Sequence, residues 1–298
     1  MITVREAFLK FRSRLELTQG EQTDASRRQK NIRSEMDKRF DIDRDFLTGS
    51  YARHTKTKPL RDVDIFCVLG DDEKGYRKQH PSVLLGDVAA ALVDTYGRDN
   101  VKQDERCVTV TFPSVVVGTE DESTGEQVVS FDVVPAFAVG RNFEIPSCTG
   151  HWIQTNPEKH AELATKKNDS FGGEWKFLVR MVKKWNAFHG KPVPSSFLLE
   201  VMALDIVHGD FGGEYAREIK AFFASTSNRV FETWNDPAGV GEPLTEGWTD
   251  QQRQKAKDAL WQANNLMAEG MRLDRDGKRG EALQFWRTQV FGPMFPLS

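Results

Sequence analysis

Polar and apolar positions alternate through Asp62-Val63-Asp64-Ile65 and lead into the apolar run to Leu69, which predicts a strand over 62–69. Side chains two residues apart share a strand face, so Asp62 and Asp64 project together while Val63 and Ile65 point into a core. Two further strands are expected at Arg106 to Phe112, with alternating Val108, Val110 and Phe112, and at Gln127 to Val134. The polar stretch Thr119 to Glu126 between them reads as a long hairpin tip. Helical spacing governs the start of the chain, roughly residues 1–40, where Phe8, Phe11, Leu15 and Leu17 form a stripe followed by the basic residues Arg27, Arg28, Lys30 and Arg33. That basic cluster is expected to be a solvated helix face. An Ala-rich helix is expected from Val83 to Tyr96, ending at Gly97.

After Pro135 the pattern turns almost wholly helical. Helices are expected at Pro157 to Lys167, Glu174 to Phe188, Ser195 to His208, Gly213 to Ala224, Thr249 to Arg272 and Arg279 to Val290, with Thr249 and Gln252 forming a capping box. Ser225 to Gly247 reads as an irregular connection. A lobe boundary is expected between Pro146 and Pro157, dividing the chain into a core lobe over 1–150 and a helical lobe over 151–298.

With 298 residues, 39% hydrophobic and 29% charged, the chain can bury a sizeable core in one large domain or two packed lobes. No apolar run is long enough to span a bilayer, and Arg5, Glu6 and Lys10 interrupt any secretory signal at the start, so a cytoplasmic location and no membrane partner are expected. Cys67, Cys107 and Cys148 are odd in number and widely spaced, which argues against a disulfide framework or a zinc site. The six histidines show no metal-ligand spacing, although His54 lies close to Ser50. A net charge of −3 is poor equipment for gripping long nucleic acid by its phosphates, so such binding is not expected.

The chemistry-bearing residues are carboxylates. Gly49-Ser50 is followed, after eleven intervening residues, by Asp62-Val-Asp64, and Asp132 recurs inside Val-Val-Ser-Phe-Asp-Val-Val-Pro. A lone Asp-x-Asp is a weak signal, but flanked by apolar residues and joined by a distant strand carboxylate it becomes a candidate two-metal site, where divalent cations offset the repulsion of like charges. Gly49 permits a close backbone turn, and the Ser50 hydroxyl can reach a phosphate oxygen. Arg53, Lys56, Lys58 and Arg61 stand between them, either attracting phosphates or pairing with local acids. In the helix over 174–188, Trp175, Leu178, Val179, Val182 and Trp185 take the core face, while Lys176, Arg180 and Lys183 rise along another. That stripe serves equally as a binding surface for a polyphosphate, with Ser196 opening the next helix, or as a solvent-facing row.

This composite resembles the DNA polymerase β nucleotidyltransferase superfamily, and within it the bacterial cGAS/DncV-like nucleotidyltransferases, or CD-NTases, related to oligoadenylate synthetase. The resemblance rests on Leu47-Thr-Gly-Ser-Tyr-Ala-Arg-His-Thr-Lys-Thr57, Asp62-Val-Asp64, Arg106-Cys-Val-Thr-Val-Thr-Phe112, Ser130-Phe-Asp-Val-Val-Pro135, Arg180-Met-Val-Lys-Lys-Trp185, Ser196-Phe-Leu-Leu-Glu200 and Phe285-Trp-Arg-Thr-Gln-Val-Phe-Gly292. It implies an α+β, bilobed enzyme with a mixed β-sheet core, an N-terminal spine helix, a helical second lobe and an active site in the cleft. The implied activity joins ribonucleoside triphosphates, ATP among them, into a cyclic di- or trinucleotide second messenger in anti-phage defence. Asp62 and Asp64 would hold two Mg²⁺ ions, for which Mn²⁺ can substitute. Asp132 would complete the site, Gly49 and Ser50 would meet donor phosphate, and Lys183 and Ser196 would hold the triphosphate tail. A HORMA-type activator is the implied protein partner. The same carboxylates would also serve a template-independent terminal nucleotidyltransferase or an adenylyltransferase acting on RNA, protein or a small molecule, whereas the presence of all three argues against an inactive nucleotide-binding scaffold.

Overall fold

A computed structural model describes residues 2–116, 125–147 and 149–298. The expected hairpin tip falls largely outside these residues, as does Cys148. Two compact units are present: the start of the chain to Glu16 joins everything from Glu162 onward, and Leu17 to Ala161 forms the other.

In the second of these, strands β1 (Ile42–Leu47), β2 (Asp62–Leu69), β3 (Val101–Gln103), β4 (Val108–Val116) and β5 (Gly125–Val139) form a mixed sheet of order β1-β2-β5-β4-β3. Among the described residues only β2 and β5 run parallel, and β4 and β5 pair antiparallel as expected. Val63, Ile65, Phe131, Val133, Val108 and Val110 are fully buried on one face, under Ile32 and Met36 of α2 (Gln19–Met36) and Leu84, Val88 and Leu92 of α4 (Pro81–Tyr96). A slip of one residue would expose such side chains, at about 1.5–3 kcal/mol each, and push carboxylates into the core. The apolar face therefore fixes the register of the acidic one.

Two features differ from the sequence expectation. The first 40 residues hold two helices, α1 (Val4–Leu15) and α2, because Glu16 turns to extended backbone and Thr18 starts a new helix with a capping box to Glu21. After Pro135, β5 continues to Val139 and two short strands follow before any helix, β6 (Asn142–Pro146) on β5 and β7 (Trp152–Thr155) on β6. Gly140, at φ 62°, and Arg141 make the tight turn from β5 to β6.

The other unit is helical. Phe8 and Phe11 of α1 pack on Phe291 and Phe295 near the end of the chain, with ring centroids 5.0 to 5.8 Å apart. After α5 (Pro157–Ser170), the core is built from α6 (Trp175–Phe188), α7 (Ser196–Ile206), α8 (Tyr215–Arg229), α9 (Asp250–Arg275) and α10 (Arg279–Trp286). Trp175, Leu178, Val179, Val182 and Trp185 all face this core, and the Trp175 indole donates to the Ala203 carbonyl at 3.1 Å. Thr249 and Gln252 do form a capping box at the start of α9. Among the described residues no helix is long and apolar enough to cross a membrane.

Candidate active site

The two acidic strands are hydrogen-bonded neighbours in register. Asp64 pairs with Asp132 across β2 and β5, and Asp132 pairs with Thr109 of β4, so the three form one row across the sheet. Asp62, Ser130 and Thr111 form the next row on the same face. Neighbouring strands lie about 4.8 Å apart, so residues 64 and 132 stand side by side although 68 positions separate them in the chain.

Local hydrogen bonds orient these acids. Thr109 Oγ1 donates to Asp132 Oδ1 at 2.7 Å, Ser130 Oγ lies 3.2 Å from Asp62 Oδ1, and Lys56 Nζ reaches Asp62 Oδ2 at 3.3 Å. Of the two roles open to the linker cations, Lys56 therefore takes the local pairing. Burial pushes the Asp64 carboxyl above its ordinary value, with Lys56 and Arg53 opposing and Asp62 adding to the rise. Burial likewise raises Asp132, against the Thr109 hydrogen bond and with the help of Asp64 and Asp62. The neighbouring Cys107 thiol is pushed up to about 12, first by burial and then by Asp132, and so stays neutral.

The Gly-Ser turn meets the acids directly. Thr48 N donates to the Asp64 carbonyl at 2.9 Å, and Gly49, at φ 62°, opens α3 (Gly49–Ala52). A Cβ at position 49 would lie 1.7 Å from Asp64 Oδ2, so only glycine lets the backbone pass beside this carboxylate. Ser50 is half-buried on the same turn, and its carbonyl accepts from the amides of Thr55 and Lys56 at 2.9 and 3.0 Å.

A hard divalent cation suits the donor set, since all three side chains offer carboxylate oxygens. Among the described residues no group of three or more His, Cys, Asp or Glu side chains is already arranged to hold a metal ion.

Lys176, Arg180, Lys183 and Ser196 belong to the helical unit. Lys176, Arg180 and Lys183 are not a solvated row, because Arg180 and Lys183 are buried. Lys183 Nζ donates to Glu200 Oε1 at 2.6 Å, and Arg180 Nη1 donates to Glu16 Oε1 at 3.3 Å while its guanidinium lies 5.0 Å from the Phe177 ring centroid. Desolvation lowers the Lys176 and Arg180 values. Ser196 is the first residue of α7, behind Ser195, whose hydroxyl accepts from Leu198 N.

Thr109, Ser130 and Glu200 were not candidates from sequence. For the first two the signal lies in register, since each pairs with or neighbours an aspartate only once the strands are aligned. Thr109→Val keeps a β-branched side chain but removes the donor to Asp132. Its Mg²⁺ requirement, read from both the ion's thermal stabilisation of the protein and product formation, is expected to rise about 10–100-fold, the usual loss when the partner of a metal ligand is removed. An unchanged requirement would take Thr109 out of the site.

Comparison with known proteins places this geometry in context. A family model described as the Second Messenger Oligonucleotide or Dinucleotide Synthetase domain matches residues 1–168. A probable cyclic nucleotide synthase of Bacillus cereus strain VD146 is 26% identical over 270 residues, covering 83% of this chain and 81% of the relative. A cyclic AMP-AMP-AMP synthase of an Acinetobacter species is 25% identical over 278 residues, covering 85% and 73%. Escherichia coli MS115-1 CdnC, solved in complex with HORMA-deltaN, superposes with a TM-score of 0.72 at 18% identity, covering 98% of each chain. Vibrio cholerae DncV in its apo form gives a TM-score of 0.69 at 13% identity, covering 99% of this chain and 96% of that one.

Proposed function

The chain belongs to the second messenger oligonucleotide or dinucleotide synthetase family of nucleotidyltransferases, and on that premise we propose that it joins ribonucleoside triphosphates, ATP among them, into a cyclic di- or trinucleotide with release of pyrophosphate. The observation that carries the reading is the register that sets Asp64 beside Asp132, with Asp62 on the same face.

Asp62, Asp64 and Asp132 would hold two Mg²⁺ ions, Mn²⁺ being an acceptable substitute. When bound, the metal supplies charge neutralisation at the α-phosphate and the leaving pyrophosphate and lowers the pKa of the acceptor ribose hydroxyl. The chain's own part is positioning. Thr109 and Ser130 hold the carboxylates of Asp132 and Asp62, and Gly49 leaves space for the Asp64 carboxylate. Ser50 lies next to Gly49 on the same turn, which supports a contact from its hydroxyl to donor phosphate. Lys183, fixed by Glu200, and Ser196 are the residues we assign to the triphosphate tail, with Lys176 and Arg180 reinforcing the positive field. The fold shared with CdnC, itself solved with a HORMA protein, supports a HORMA-type activator as partner. A role in anti-phage defence in the cytoplasm completes the reading.

Purified protein supplied with labelled ATP, GTP, CTP and UTP and Mg²⁺, with and without the activator, is expected to yield a small product that resists phosphatase. Label in added RNA or in protein instead would replace this reading with terminal transfer or protein modification.

A further inference from the structure

The helical unit contains a cavity that none of the candidate active-site residues lines. Its volume is about 530 Å³, and it is enclosed by the first two turns of α1, the start of α8, the last turns of α9, and α10. This is the size of pocket that takes a drug-sized molecule. We propose that the cavity is a binding site for a small organic anion with an apolar body.

The walls argue for the apolar body. Leu9, Ala216, Ala268 and Met271 line the cavity in front of the buried rings of Phe8, Tyr215 and Trp286. Tyr215 is a fixed wall, because its hydroxyl donates to Glu174, whose carboxylate also accepts two bonds from Arg12 at 2.9 and 3.0 Å. Trp286 is fixed too, since the edge of its indole lies against Gly270, where a Cβ would come within 2.2 Å of Nε1. Walls fixed in this way hold the cavity open, so a ligand pays little entropic cost for shaping it.

The charge argues for the anion. Arg5, Lys220, Arg275 and Arg279 line the cavity, together with Glu214 and Asp274. Arg279 is taken by Asp274 at 3.3 Å. Among the described residues, Arg5, Lys220 and Arg275 make no ion pair with a carboxylate, so three cations face the one remaining acid, Glu214. A low-dielectric wall beside these cations strengthens their pull on a negative group.

The aromatic sulfonate 1-anilinonaphthalene-8-sulfonate is a suitable probe, with its uncharged relative N-phenyl-1-naphthylamine as the comparison. The full chain, shown by cooperative thermal unfolding to be native, is expected to bind the sulfonate at a single saturable site and the neutral compound about tenfold more weakly. Arg5→Glu with Arg275→Glu, both at exposed positions, is expected to abolish that preference, and Ala268→Phe, which fills the cavity, to weaken both probes about tenfold. Equal binding of charged and neutral probes, or sulfonate affinity unchanged by the charge reversals, would overturn the proposal. The charge-reversed protein keeps the test decisive if the filled variant does not fold.

Discussion

Asp62→Asn combined with Asp64→Asn is expected to leave a folded protein that makes no detectable product from labelled nucleotides. Loss of a single preorganised electrostatic partner of a transition state costs about 10²–10³ in rate, and this pair removes two of three carboxylates. The fold is expected to survive for a reason the electrostatics supply. Burial raises the Asp64 carboxyl, so its folded-state value lies above its unfolded one and its ionised form costs stability at every pH above that folded value. Asparagine removes the charge and with it that cost. In EDTA at neutral pH, the variant's Tm is therefore expected to equal or exceed that of the parent protein. Added Mg²⁺ is expected to raise the Tm of the parent and not of the variant. Retained synthesis would remove these residues from the mechanism, and an equal Mg²⁺ response would remove them as ligands.

Gly49→Ala is expected to be nearly as damaging to activity through a single methyl group. The added Cβ falls 1.7 Å from Asp64 Oδ2, far inside contact distance, and the residue must also hold φ 62°. The left-handed conformation alone costs a residue other than glycine about 1–2 kcal/mol. The collision is relieved only if the carboxylate turns away or the Gly-Ser turn lifts from β2, and both disturb the row that contains Asp64. We expect product formation to fall by about 10²-fold or more, as misplacement of about 1 Å can do, with a Tm decrease of a few degrees. Ser50→Ala on the same turn leaves the Asp64 carboxylate where it is and serves as the comparison. An active Gly49→Ala protein would show that the turn and the carboxylate do not share the space the geometry assigns them.

Much of this site is legible in sequence because strand periodicity is strict. Alternation at 62–65 fixes which side chains point to the core, and the six core residues behind the acids are all fully buried. The alignment of Asp64 with Asp132 was not legible, since a parallel pair can take many registers and only the completed apolar face selects one. Thr109 and Ser130 were missed for the same reason. The break between α1 and α2 did have a signal, Thr18 followed by Glu21, which the surrounding helical pattern concealed. β6 and β7, five and four residues long, are too short to show a period, although Gly140-Arg141 marked the turn into the first of them. Arg180 and Lys183 look solvated by composition, whereas their acidic partners, Glu16 and Glu200, lie 164 and 17 residues away. Long-range pairing of this kind leaves no local trace.

The parallel pairing of β2 with β5 also bears on synthesis of the chain itself. Asp62 and Asp64 leave the ribosome early, yet their partner strand cannot dock until the intervening helix and strands have emerged and β5 has followed. A nascent or prematurely terminated polypeptide ending before Phe131 thus carries two of the acids without the strand that brings the third, and is expected to form no product.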